Sequence, residues 1–168
     1  MDKIEIERKI LLKSIPNQKP VETIHIEQWY RKNKRGIWER VRSCHSNVNG
    51  FYFVHTIKTR VSNMSNTEEE KIIKAKYFNK FVRKCKESGD SRYISKERLV
   101  FKDELNPDLY WEIDVFNNGH HLIIAEIEIP SEDYDLKIPN WIEKVMLMEV
   151  TGLNQFNNRN LSNLVSDN

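Results

Sequence analysis

Seven pairs of like-charged residues, each pair two positions apart within an expected strand, constrain this chain more than any other feature. Four pairs are acidic: Glu5/Glu7, Glu68/Glu70, Glu112/Asp114 and Glu126/Glu128. Three are basic: Arg40/Arg42, Lys58/Arg60 and Lys96/Arg98. In a strand, alternate side chains share a face. In four pairs the residue between is aliphatic (Ile6, Val41, Ile113, Ile127), so those strands have one charged face and one apolar face. An antiparallel sheet with one side in water gives the same alternation. The segregation of sign argues against that reading for the whole set. A surface built for solubility intersperses its charges, and like charges opposed across a strand pair are destabilising. One arrangement uses every pair: a closed sheet with the charged faces inward and the aliphatic faces outward against helices. Such a lumen is costly if dry and unpartnered. A polyphosphate carrying divalent metal would satisfy both signs, because carboxylates suit Mg²⁺ or Mn²⁺ and arginine forks and lysine ammoniums suit phosphate.

The order of elements fits such a sheet. Strands are expected near 3–12, 23–31, 37–44, 51–60, 67–73, 91–102, 109–116 and 121–130. Asn49-Gly50 and Asn117-Asn118-Gly119 read as hairpin turns. Tyr77, Phe78, Phe81, Val82 and Cys85 recur at helical spacing. Two further helices are expected, one after Pro139 with Trp141, Ile142, Val145 and Met146 as its stripe, and one from about 158 to 165. Ser166 to Asn168 is expected to fray. At 168 residues the chain reads as one domain.

A net charge of +2 is not that of a polycation built for DNA, and the lysines around Lys76 to Lys86 read as a solvated helix face. Cys44 and Cys85 are too few for a disulfide framework. No apolar run approaches a membrane span and no signal-peptide pattern opens the chain, so a cytoplasmic location is expected. His120-His121 adjoins a turn, lacks a nearby Cys or His partner, and reads as surface.

The ordered motifs resemble a known family. Glu5-x-Glu7-x-Lys9 is similar to the E-x-E-x-K signature of the CYTH domain, the triphosphate tunnel metalloenzymes. Arg40-Val41-Arg42, Thr56-Ile57-Lys58, Glu68-Glu69-Glu70, Lys96-Glu97-Arg98, the Trp111–Phe116 and Ala125–Glu128 segments, and Glu149-Val150-Thr151 with Asn158 follow in the family's order. Trp29, Leu99 and Phe156 depart from it, standing where relatives have glycine or tyrosine, and the stretch from Glu143 to Met148 is longer than usual. The resemblance implies an α+β fold, an eight-stranded antiparallel β-barrel with flanking helices, over 1–168. It implies Glu5, Glu7, Glu126 and Glu128 as ligands for Mg²⁺ or Mn²⁺, with Asp114 assisting. It implies Lys9, Tyr30, Arg40, Arg42, Lys58, Lys96 and Arg98 as the triphosphate's partners. Glu68 and Glu70 are less firmly placed. Glu5, Glu7, Lys9 and Arg98 are the expected catalytic set for hydrolysis of a small triphosphate, foremost inorganic tripolyphosphate. The alternatives are adenylate cyclase chemistry on ATP and a non-catalytic module for a triphosphate-bearing nucleotide. Relatives include homodimers.

Overall fold

The computed structural model describes residues 2–117 and 121–165. Asn118, Gly119 and His120, and the segment from Ser166 to Asn168 expected to fray, lie outside them. Eight strands form the frame: β1 (Lys3–Leu12), β2 (Glu22–Lys32), β3 (Trp38–Ser46), β4 (Gly50–Arg60), β5 (Ser65–Ile73), β6 (Arg92–Lys102), β7 (Tyr110–Phe116) and β8 (Ile123–Glu128). Each begins and ends within about two residues of the expected span. All pairings are antiparallel, in the order β6-β2-β3-β4-β5-β1-β8-β7, and β7 pairs back to β6. The sheet is therefore a closed barrel, which leaves no edge among these eight strands to template association.

Alternation assigns the two faces. The residues between the charges point outward: Ile113 and Ile127, with Ile10 of β1 and Trp111 of β7, are at most 1% exposed beneath Leu136 and Ile142 from the C-terminal third. Each such aliphatic side chain contributes roughly 1.5–3 kcal/mol by leaving water. Buried Trp111 donates its indole N–H to Asp103 Oδ2 at 2.6 Å, and Asp103 also accepts from Asn106 Nδ2 at 2.7 Å. This outer core, rather than the barrel interior, is where the chain buries most of its bulk. Trp29 and Leu99 also lie on the outer wall, against Tyr93 and the outer core respectively, so those two departures from the family pattern do not touch the lumen.

The helix α1 (Ala75–Lys86) is where helical spacing put it. It lies on the outer wall, with Phe78 against Phe53 and Cys85 buried. The two C-terminal helices are shorter than expected. A single turn, α2 (Asn140–Glu143), follows Pro139, and the chain then becomes a strand, β9 (Met146–Glu149). Met146, expected on a helix stripe, pairs with Leu12 of β1. Unsatisfied backbone on β1 beyond its β5 pairing captures this segment, and tertiary pairing overrides local spacing. Likewise α3 (Asn158–Leu161) gives way to β10 (Asn163–Leu164), which pairs with β6. No described helix is long and apolar enough to cross a membrane.

Candidate functional site

A cavity of about 580 Å³ runs inside the barrel. Glu5, Glu7 and Lys9 of β1, Tyr30 of β2, Arg40 and Arg42 of β3, Lys58 of β4, Glu68 and Glu70 of β5, Arg98 of β6 and Glu126 of β8 all line it. Strand alternation is the cause: residues of one parity on every strand face the lumen.

The acidic side is crowded. In the β7–β8 hairpin Glu112 stands directly opposite Glu126, and Glu7 of β1 opposite Glu128. Burial pushes the Glu5 carboxyl above its ordinary value, and Glu68 adds to the rise. Burial does the same to Glu7, helped by Glu126. Two lysines lie among these carboxylates. Lys58 Nζ is 3.4 Å from Glu5 and 3.3 Å from Glu7; Lys9 Nζ is 3.4 Å from Glu126 and 3.9 Å from Glu7. Glu126 is also buried, but Lys9, with Arg98 and Lys96, outweighs that and draws its carboxyl down to about 2. As they stand, no three Asp, Glu, His or Cys side chains among the described residues gather tightly enough to hold a metal ion.

The arginines of the basic side are paired, but two of them not fully. Arg40 reaches Glu68 at 3.2 Å and Arg42 reaches Glu70 at 2.9 Å. The Nε of each guanidinium is nevertheless buried without a partner. Burial, and then the neighbouring Arg40 and Arg98, make the Arg42 cation less favourable than usual. A buried unpaired donor costs about 1–3 kcal/mol, so these arginines await an acceptor. Tyr30 accepts from Gln28 Nε2 at 2.9 Å, and the Gln28 Oε1 has no partner.

Three of the residues singled out in the sequence lie elsewhere. Asp114 and Lys96 are 0% and 1% exposed and do not line the cavity. Arg98 grips Asp114 with two nitrogens, at 2.7 and 2.9 Å, and also pairs with Glu112. Lys96 Nζ donates to Asp114 at 2.7 Å and to Asn158 at 2.8 Å. Burial raises the Asp114 carboxyl, but Arg98 and Lys96 together hold it well below the carboxylate range. Burial brings the Lys96 ammonium down to about 8 in spite of Asp114. Glu128 is exposed and pairs with Lys3 at 2.9 Å.

One end of the lumen is closed by apolar side chains: Tyr30, Ile94, Phe116, Ile124 and Leu161, with Phe156 packed on them. The C-terminal segment that supplies the last two also brings Asn154, Asn157 and Arg159 to the cavity wall. Sequence reasoning missed Arg159, which lies over the Trp38 ring at 5.1 Å. It also missed the use of Arg60, counted among the pairs but given no role. Arg60 binds Asn63 at 3.1 Å and the Gly152 carbonyl at 2.8 Å, and pairs with Asn154. Gly152 has φ +74°, and a Cβ there would stand 2.8 Å from the Asn63 carbonyl oxygen. Only glycine fits this left-handed, crowded position.

No protein-family model matches the chain. It is 41% identical over 69 residues to an inorganic triphosphatase of Acetivibrio thermocellus; the match covers 40% of this chain and 40% of that one. In fold it is similar to the crystal structure of the inorganic triphosphatase NE1496, with a TM-score of 0.61 and 24% identity over 94% of this chain and 96% of that one. It is also similar to the putative adenylyl cyclase HpAC1 from Hippeastrum, described as having a dominant triphosphatase activity, with a TM-score of 0.55 and 16% identity over 76% and 80%. At 24% identity and below, this is a likeness of fold: the chain shares the fold of these structures, and its own closed barrel brings most of the ordered charge pairs to one lumen.

Proposed function

We propose that this chain hydrolyses a triphosphate inside its tunnel, with inorganic tripolyphosphate as the foremost substrate. One observation carries the reading: Arg40, Arg42 and Arg98 crowd one wall with unpartnered Nε donors on the first two, while Glu5, Glu7 and Glu126 crowd the other. A single ligand that relieves both walls is a polyanion with bound divalent cation.

The donor set fits a hard divalent ion. Its oxygens are all carboxylate, burial and then Glu68 raise Glu5 while burial and then Glu126 raise Glu7, and lysine ammoniums already stand among them. Glu5, Glu7 and Glu126, with Glu128 at the rim, would hold Mg²⁺ or Mn²⁺. Such an ion supplies neutralisation of phosphate oxygens and a water more readily deprotonated than bulk water. Arg40 and Arg42 would bind the triphosphate oxygens in planar, charge-assisted pairs. Arg98, held rigid by Asp114 and Glu112, would present its guanidinium to the transferring phosphoryl group without reorganising. Lys9 and Lys58 would move from carboxylate to phosphate as the ion enters. Lys96 and Asp114 support Arg98 from behind. The fully buried Cys85 and the buried Cys44, both free thiols, fit a reducing, cytoplasmic setting.

A second reading has its own observation. Ile24, Ile26, Tyr52 and Val54 give part of the cavity an apolar wall, which would accept the organic end of a nucleoside triphosphate, as a cyclase requires. Incubation with tripolyphosphate, ATP and thiamine triphosphate plus Mg²⁺ or Mn²⁺ separates the two. Orthophosphate release, greatest from tripolyphosphate and lost in Glu5→Gln and Glu126→Gln, is expected. Cyclic AMP without orthophosphate would overturn the hydrolase reading.

A further inference from the structure

The outer wall of the barrel carries a second concavity, whose lining shares only Glu39 with the tunnel. It is a groove of about 360 Å³ between α1 and strands β2 to β5. Its floor is apolar: Val41, Ile73 and Phe81. Its banks are basic on both sides, with Arg31 and Lys71 from the barrel and Lys80 and Lys84 from the helix. Among the described residues none of these four cations forms an ion pair. The one acid in the lining, Glu39, is engaged by Asn33 at 3.2 Å and lies 3.7 Å from His55. The helix itself carries Lys76, Lys80, Arg83, Lys84 and Lys86 and no acid. Lys80 and Lys84 are one turn apart, about 6 Å along the axis. In a chain whose net charge is only +2, this is a concentrated positive field over an apolar floor.

We infer that the groove docks an acidic polypeptide segment of a partner protein, with an aliphatic side chain seated between α1 and the barrel and carboxylates on the two banks. Charge complementarity calls for an anionic partner. The floor then selects among anions. Single-stranded nucleic acid needs free aromatic faces for stacking. Here the Phe81 ring meets His55 edge-on, at 6.5 Å between centroids, and the Phe78 ring packs on Phe53 at 4.9 Å. Tyr77 is 55% exposed, with Lys76 Nζ 5.1 Å from its ring, and is a single aromatic side chain where successive bases would need several. What the lining offers is Ile73 and one aromatic side chain, room for one or two side chains rather than a row of stacked bases.

Fluorescence anisotropy on the full chain tests this with a fluorescein-labelled peptide, Asp-Glu-Leu-Glu-Asp-Leu-Asp-Glu. The leucine peptide is expected to bind, and the same peptide with serine for leucine to bind at least about tenfold more weakly. Charge reversal in Lys80→Glu/Lys84→Glu is expected to weaken the leucine peptide about tenfold or more, with tripolyphosphate turnover and melting temperature unchanged. Three outcomes would each overturn the proposal: no binding below about 1 mM, equal binding of the two peptides, or tighter binding of a dT oligonucleotide than of the leucine peptide. Unaltered affinity in the folded double variant would do the same.

Discussion

Asp114→Asn removes the one anion that holds both Lys96 and Arg98, and its consequences follow from the geometry. Asp114 and Lys96 are buried, Asp114 with no exposure at all, and Arg98 is only 11% exposed at the cavity wall. Asparagine keeps the shape and one acceptor but leaves two cations facing a neutral amide. Lys96 retains Asn158 and Arg98 retains Glu112. Removing one partner of a buried charge pair costs about 3–5 kcal/mol. For a chain of 168 residues, 1 kcal/mol is worth roughly 2–4 °C, so a melting temperature lower by about 6–20 °C is expected. The variant should also depend on pH more steeply than the wild type does. Lys96 already sits at about 8 against an ordinary value of 10.5, and loss of Asp114 lowers it further. A folded-state value below the unfolded one means the unfolded chain binds more protons in that interval, so stability rises with pH. Part of the lost stability should therefore return as pH rises toward 10.5, over a window that opens below 8, seen by thermal circular dichroism at several pH values. Tripolyphosphate should restore part of it as well, by pairing with the freed face of Arg98. A variant that melts within about 2 °C of wild type at pH 7 would refute the idea that this network is anchored on Asp114.

Arg42→Met should be neutral or slightly stabilising in the free protein, since the buried guanidinium is poorly compensated and an apolar replacement is often no worse. The same variant should lose most of the melting-temperature increase that tripolyphosphate gives wild type, read by differential scanning fluorimetry; full retention would argue against anion binding there. Gly152→Ala should destabilise by about 1–3 kcal/mol, because φ +74° strains any Cβ and that atom would meet the Asn63 carbonyl at 2.8 Å. Urea unfolding measures this, and an unchanged midpoint would count against the described turn. Acid should destabilise the fold as pH falls from about 4.5 toward 2, because Glu126 is held at about 2 in the folded chain and its stabilisation is complete above the unfolded value. Glu126→Gln should flatten that acid limb.

Much of the fold was legible because strand alternation is read locally. Ile6, Val41, Ile113 and Ile127 marked the outer face, and the charges between them marked the lumen. The hairpin register that sets Glu112 against Glu126 is not legible in the sequence, because turn type and loop length fix it. What sequence could not give was depth within the tunnel. Lys96 and Arg98 belong to the same pair, yet Arg98 lines the cavity while Lys96 is sealed behind Asp114 and Asn158. Asp114 and Glu128 share a charge type with Glu126, but one is fully buried and the other is exposed beside Lys3. Barrel stagger decides these differences, and it is a property of all eight registers together. The C-terminal segment was legible only in part. Nothing near Arg159 in sequence announces that it stacks on Trp38, and Met146 became a strand residue because β1 offered it backbone partners.

Orthophosphate release from tripolyphosphate, measured with and without Mg²⁺ or Mn²⁺ for wild type and for Glu7→Gln, tests the tunnel reading most directly. Metal-dependent release of orthophosphate and pyrophosphate in equal amounts is expected from wild type, falling about 100-fold or more in a Glu7→Gln variant that stays folded. Release that persists in the presence of a chelator, or that survives in Glu7→Gln, would contradict it.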